Sequence, residues 1–190
     1  MWDYRGVMAV QTAGGVRDSS TLTDTSNSAS KDEVLPGFAV AAIREEGRWR
    51  CAALDGDALL DLDSAISELR SVRSSGAVLG LLAVDDCFFV IVRPTPGGVS
   101  LMLSDAIAAL DYDIAADVLE LLRVDLPPED SADDDPWPEG DMGIIADLGL
   151  PADELEVLAG ELELYPDEQL AVIGRRCGFD KALTELLRGK

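Results

Sequence analysis

Residues 77–103 read A-V-L-G-L-L-A-V-D-D-C-F-F-V-I-V-R-P-T-P-G-G-V-S-L-M-L, and the reading of this stretch decides the fold. Ala77 to Val84 is a continuous apolar run that stops at Asp85-Asp86. Cys87 to Val92 is rich in Phe and Val, which favour a pleated backbone. Arg93 to Gly98 (R-P-T-P-G-G) ends that run, because prolines lack the amide a ladder needs and glycines admit turn geometry. Val99 to Leu103 brings the chain back. Three strands joined by short turns pair antiparallel.

Upstream, Phe38 to Arg44 and Arg48 to Leu54 are apolar-rich runs around Glu45-Glu46-Gly47, the pattern of a hairpin. Asp61 and Asp63 stand as N-caps before Ala65, Ile66, Leu69 and Val72, which recur at helical spacing as far as Ser74 to Gly76. Downstream, Ser104 reads as the cap of a second helix carrying Ile107, Leu110, Ile114, Val118 and Leu121, with Asp111 to Asp113 as a point of interruption. The order β-β-α-β-β-β-α over residues 37–124 predicts an α+β domain. Its five-stranded antiparallel sheet carries two helices packed on one face. This order resembles the roadblock/longin/profilin-like folds, and that resemblance implies the sheet order 2-1-5-4-3. Such a topology hosts unrelated functions and assigns none.

Residues 1–36 are rich in Ser, Thr, Asp and Gly and poor in large apolar side chains, so they read as a disordered extension outside the fold. Residues 125–140 form an acidic, Pro-rich linker that like charges keep extended. Trp137 within it reads as docking on the chain's own domain. Residues 141–190 read as a small helical bundle. Met142 to Leu148 forms a first helix stopped by Gly149, and Pro151 opens a second through Leu155 and Leu158. Pro166 opens a third, ended by Gly178, and Asp180 caps a fourth through Leu183, Leu186 and Leu187. A bundle of that size needs a further surface for stability.

The 190 residues hold 37 acids against 15 bases, a net charge of −22. Residues 125–190 alone carry 18 acids and 5 bases. A field of that sign repels phosphate backbones, so no direct nucleic-acid binding is expected, and it steers the chain toward basic proteins. The bland alternative is that the charge serves solubility. No apolar run approaches the roughly 20 residues that span a bilayer, and no secretory layout opens the chain, so a cytoplasmic location without membrane contact is expected. Cys51, Cys87 and Cys177 lie far apart and read as small buried hydrophobes in a reducing compartment.

The sequence predicts no catalytic, cofactor-binding or metal residues. Histidine is absent, which with unpaired cysteines leaves structural zinc no ligand set. The acids Asp55, Asp57, Asp61 and Asp63, and Asp111, Asp113 and Asp117, lack the EF-hand loop's Gly at position 6 and Glu at position 12, where Ile66 and Leu122 stand. Neither phosphate-cradling glycine loop occurs. Ser104 has no base near it in sequence, and Asp85-Asp86 suits a turn better than acid/base work. Phe88 and Phe89 are adjacent in a strand and point to opposite faces, so they build no base-stacking platform. Arg175-Arg176 reads as a complement to a helix dipole.

Three stretches carry a resemblance to a known family. They are Ala83 to Pro94 (A-V-D-D-C-F-F-V-I-V-R-P), Leu103 to Ala109 (L-S-D-A-I-A-A), and Gly140 to Phe179. The last contains G-D-M-G-I-I-A-D-L-G-L-P-A-D-E-L and L-Y-P-D-E-Q-L-A-V-I-G-R-R-C-G-F. Together they resemble the actinobacterial tRNA adenosine deaminase-associated proteins, with coverage from about Phe38 to Leu187. The resemblance implies no catalytic motif, and the deaminase's own H-x-E and P-C-x-x-C zinc signature is absent. Taken with the missing catalytic residues and the acidic C-terminal third, it points to a non-catalytic accessory protein that binds or modulates a tRNA adenosine deaminase, with the acidic surface as the contact. The alternatives are a homodimeric scaffolding module of roadblock-like type unrelated to tRNA, and a carboxylate-based enzyme of unrecognised kind.

Overall fold

In the computed structural model, which describes residues 35–131 and 135–189, six strands form one antiparallel sheet flanked by five α-helices. The strands are β1 (Gly37–Glu45), β2 (Arg48–Ala53), β3 (Val78–Val84), β4 (Phe88–Thr95), β5 (Gly98–Leu103) and the two-residue β6 (Glu139–Gly140). The helices are α1 (Leu62–Ser71), α2 (Asp113–Leu122), α3 (Ala152–Ala159), α4 (Pro166–Cys177) and α5 (Asp180–Arg188). The disorder expected of residues 1–36 lies, up to residue 34, outside the described residues, as do residues 132–134.

The antiparallel α+β class holds, but the strand count and order differ from expectation. The sheet runs β2-β1-β3-β4-β5-β6, not 2-1-5-4-3, so the roadblock/longin topology is not what the sheet adopts. The free edge of β1 is taken by β3, in register from Phe38 opposite Ala83 to Ile43 opposite Val78, and not by β5. The cause is local. After α1, Gly76 passes so close to β1 that an added Cβ would sit 1.8 Å from the Arg44 carbonyl oxygen. The Arg44 amide then donates to the Ala77 carbonyl at 2.8 Å, which seats β3 at once. The far edge of β5 is left open, and the linker fills it: Met102 pairs with Gly140 and Leu103 with Glu139. A Pro- and Asp-rich segment thus contributes the sixth strand.

Each face of the sheet is covered. On the first face Ile43, Leu82, Phe88, Val90 and Leu101 pack under α1 and α2, together with Leu69, Ile114 and Val118. On the second face Val40, Leu81, Phe89, Ile91 and Met102 pack under α3, α4 and α5 with Leu155, Leu170, Ile173 and Phe179. Phe88 and Phe89 are both wholly buried, one on each side. The surface that the C-terminal helices require is therefore the back of the sheet.

Ser104 does not cap a helix. Buried, it accepts the Phe89 amide on Oγ at 2.9 Å and ties the ends of β4 and β5 together. Asp105 makes an Asx turn ahead of the next element, with Oδ1 accepting the Ile107 amide at 2.9 Å, and the 3-10 turn itself has no side-chain cap. The helix beyond is interrupted as expected: a 3-10 turn covers Ile107–Leu110, and α2 starts afresh at Asp113. Trp137 packs, partly buried, against the first-face core, and its carbonyl accepts the Ala106 amide at 2.9 Å. Its docking on the chain's own domain is as read from sequence. Residues 142–148 form only a 3-10 turn, Ala146–Leu148, ahead of Gly149.

Candidate functional site

Three contacts fix the C-terminal helices to the sheet and to one another. The Trp49 indole on β2 donates to the Cys177 carbonyl at 3.1 Å and meets Phe179 edge-on, ring centres 5.3 Å apart. On β4, the Arg93 guanidinium grips Asp147 through two bonds of 2.5 and 2.8 Å, and it also donates to the Ile144 carbonyl at 2.6 Å. That bidentate bond raises the pKa of Arg93 and holds the Asp147 carboxyl below the ordinary carboxylate range. The third contact is Gln169 of α4. Its buried side-chain amide donates to the carbonyls of Leu158, Ala159 and Glu161 at 2.9, 3.3 and 3.2 Å. It thereby satisfies the open C-terminal end of α3.

The surface so fixed is distinctive. Residues 151–170 contain seven acids (Asp153, Glu154, Glu156, Glu161, Glu163, Asp167, Glu168) and no Lys or Arg. Among them stand apolar side chains turned to water: Val157 is 74%, Leu162 62% and Tyr165 61% exposed. Two clefts flank the α3–α4 connection. One, of about 470 Å³, lies between the two helices and is lined by Leu150, Val157, Leu158, Leu164 and Val172, with Asp153, Glu154 and Glu161 at its rim. The other, of about 320 Å³, runs toward the β3–β4 turn past Leu162, Glu163, Tyr165, Pro136, Asp86 and Asp105. Among the described residues the only base lining either, Arg176, forms an ion pair with Glu154. Arg176 therefore does more than complement the end of α4, and its charge is already matched.

Other candidate positions resolve into structural roles. Asp61 caps α1 by accepting the Ser64 amide at 2.8 Å, and Asp113 stands in the first turn of α2. Asp85 and Asp86 occupy the two left-handed positions of the β3–β4 turn, with φ of 47° and 52°. There Asp85 accepts the Tyr112 hydroxyl at 2.6 Å, a bond that raises the tyrosine pKa. Cys87 beside them is exposed, contrary to the buried role expected of all three cysteines, because it lies just past a turn that ends at the sheet rim. Burial raises the thiols of Cys51 and Cys177 to about 11, which leaves them protonated and unreactive at neutral pH. Among the described residues no three His, Cys, Asp or Glu side chains gather in a metal-binding arrangement.

A larger cavity, about 980 Å³, lies elsewhere, at the β1–β2 and β4–β5 turns, lined by Arg44, Arg70 and Arg93 with Glu46, Asp141 and Asp147. Its charges cancel, and the Arg93 guanidinium in its lining is committed to Asp147. The α3–α4 surface is the stronger candidate because its charge is one-sided and its apolar side chains lack cover. Sequence reading locates the acidity in the C-terminal third. It does not find the exposed apolar set, although the alternation E-L-E-V-L-A-G-E-L-E-L-Y from Glu154 to Tyr165 carries it.

No helix among the described residues is long and apolar enough to cross a membrane. No solved structure matches the chain. Protein Rv3753c of Mycobacterium tuberculosis (strain ATCC 25618 / H37Rv) is 56% identical over 151 residues, covering 80% of this chain and 87% of the relative. A model of Rv3753c-like tRNA adenosine deaminase-associated proteins matches residues 37–180, from the first strand of the sheet into the last helix. On both matches, the chain belongs to the Rv3753c-like tRNA adenosine deaminase-associated protein family.

Proposed function

We propose that the protein is a non-catalytic accessory factor that binds a tRNA adenosine deaminase through the acidic α3–α4 surface. The observation that carries this reading is a surface of seven acids and no base over residues 151–170, in a family described as deaminase-associated. An enzyme that handles tRNA presents positive charge to the phosphates, and an acidic protein complements that surface. The accessory factor then competes with tRNA for part of it and modulates access. Three free cysteines accord with action in the reducing cytoplasm.

The test is co-elution of the chain with the deaminase of the same organism on a sizing column, at about 50 mM and about 300 mM salt. A complex at low salt that weakens at high salt, and that excess tRNA displaces, is the expected result. Separate elution at low salt, with deaminase turnover unchanged by an equimolar amount of the chain, rejects the reading.

A further inference from the structure

The groove between α3 and α4 is more specific than an acidic patch. Its lining residues recur at i, i+4 on both walls: Asp153, Val157 and Glu161 along α3 and beyond its end, Val172 and Arg176 along α4. Two helix walls with that spacing leave a furrow into which the ridge of a third helix fits. Leu150, nearly wholly buried, and half-buried Leu158 form the apolar floor, while Val157 projects 74% exposed at the mouth. The rim acids Asp153 and Glu161 have no ion-pair partner among the described residues, whereas Glu154 is matched by Arg176.

We propose that this groove receives a basic amphipathic helix of the partner protein. An aliphatic ridge would lie between Val157 and Val172, with Lys or Arg beside Asp153 and Glu161. The inference rests on the reading of the chain as a protein-binding accessory factor and names the chemistry of its contact. Charge selects this occupant over the alternatives. The chain's own residues 1–36 carry five acids against three bases, so they do not match an acidic rim. A second copy brings a further net charge of −22 and is repelled.

The probe is a synthetic helical peptide of about 15 residues, with Leu at i, i+3, i+4 and i+7 and Lys elsewhere. Its comparator has the same composition with the spacing scrambled. Binding is read by fluorescence anisotropy at low salt. The helically spaced peptide is expected to bind at least about tenfold more tightly than the scrambled one. Val157→Asp, at an exposed site where folding is not at stake, removes that advantage. Glu161→Lys weakens both peptides, and Asp63→Asn, on the opposite side of the sheet, changes neither. Equal binding of the two peptides, or an advantage that survives Val157→Asp, overturns the groove.

The deaminase itself separates this inference from the broader one. A deaminase complex that Val157→Asp leaves intact rejects the groove and keeps the accessory role. Selective peptide binding with no deaminase complex keeps the groove as a basic-helix site and rejects the deaminase as its occupant.

Discussion

The two faces of the sheet bury comparable aliphatic cores, yet their outer surfaces are unlike. The first face is roofed by α1 and α2, which interleave with the strands in sequence and carry acids, the base Arg70 and a single exposed large apolar side chain, Leu121, on their outer sides. The second is roofed by α3, α4 and α5, which arrive after the linker and expose Val157, Leu162 and Tyr165 among acids. Equal burial beneath and unequal chemistry above show that core packing alone does not require the α3–α4 surface. An uncovered valine on a helix contributes nothing to folding that a polar residue could not, and in the proposed complex it faces the partner.

The most severe test of this contrast removes one large aromatic from each face. Phe88 meets Tyr112 edge-on at 5.2 Å on the first face, and Phe179 meets Trp49 at 5.3 Å on the second. Phe88→Ala and Phe179→Ala are each expected to cost about 3–5 kcal/mol. Because β1, β3 and β4 supply both cores, each variant should shift one cooperative transition. Urea unfolding followed by tryptophan fluorescence and by far-ultraviolet circular dichroism checks this. If Phe179→Ala loses the fluorescence signal before the dichroism, the second roof melts separately and the shared-strand argument fails.

That shared burial is written in the sequence. Ala77 to Val84 is apolar or glycine at every position, whereas a sheet with one wet face alternates. The unbroken run therefore announces two covered faces. The first hairpin, both sequence helices, the turn at Asp85-Asp86 and the starts of α3 and α4 are legible because each depends on neighbours in sequence. The order of the sheet is not, because it rests on a contact distant in sequence, the close passage of Gly76 against Arg44 of β1. Glu139–Gly140 reads as linker because two residues carry no periodicity, and only the vacant edge of β5 makes them a strand. Ser104 reads as a cap because a serine ahead of a helix usually is one, and its pairing with Phe89 is a contact across 15 residues. The exposed apolar set of α3 and the α3–α4 connection is hidden for the opposite reason: apolar residues at helical spacing read as core until burial is known.

A milder perturbation loosens only the α3–α4 connection. Gln169→Leu removes the side-chain donor; the Leu158 and Glu161 carbonyls keep the Glu161 and Leu164 amides, so the Ala159 carbonyl is the one left unpaired, at a cost of about 1–3 kcal/mol. Gln169→Glu is expected to cost more at neutral pH, where a carboxylate faces carbonyl oxygens, and less in acid, where a protonated carboxyl donates again. Urea midpoints at the two pH values test the sign. If the cost of Gln169→Glu is the same at both, the amide is not what holds the end of α3. Both substitutions should also reduce the spacing advantage of the basic peptide, since the groove's two walls are joined there.

The smallest effect separates the faces by acid response. Arg93 lowers the pKa of Asp147 on the second face, while burial and then neighbouring acids raise that of Asp117 on α2. A carboxyl whose folded pKa is depressed gives stability that is present above the unfolded value, about 3.9, and lost as pH falls through the folded value. A raised carboxyl does the reverse: its ionised form burdens the fold at neutral pH, and the burden lifts as pH falls through the raised value. Asp147→Asn should therefore lower stability at pH 7 and have little effect once the medium is acid enough to protonate the wild-type group. Asp117→Asn should raise it at pH 7 and likewise fade in acid. Asp147 is exposed and Asp117 only partly buried, so each effect should stay within about 1 kcal/mol. Urea midpoints from about pH 3 to pH 7 read both curves. A rise in stability from Asp147→Asn at neutral pH would mean that Arg93 does not hold Asp147 as an ion pair. The β4 anchor of the second roof would then reduce to the bond from Arg93 to the Ile144 carbonyl.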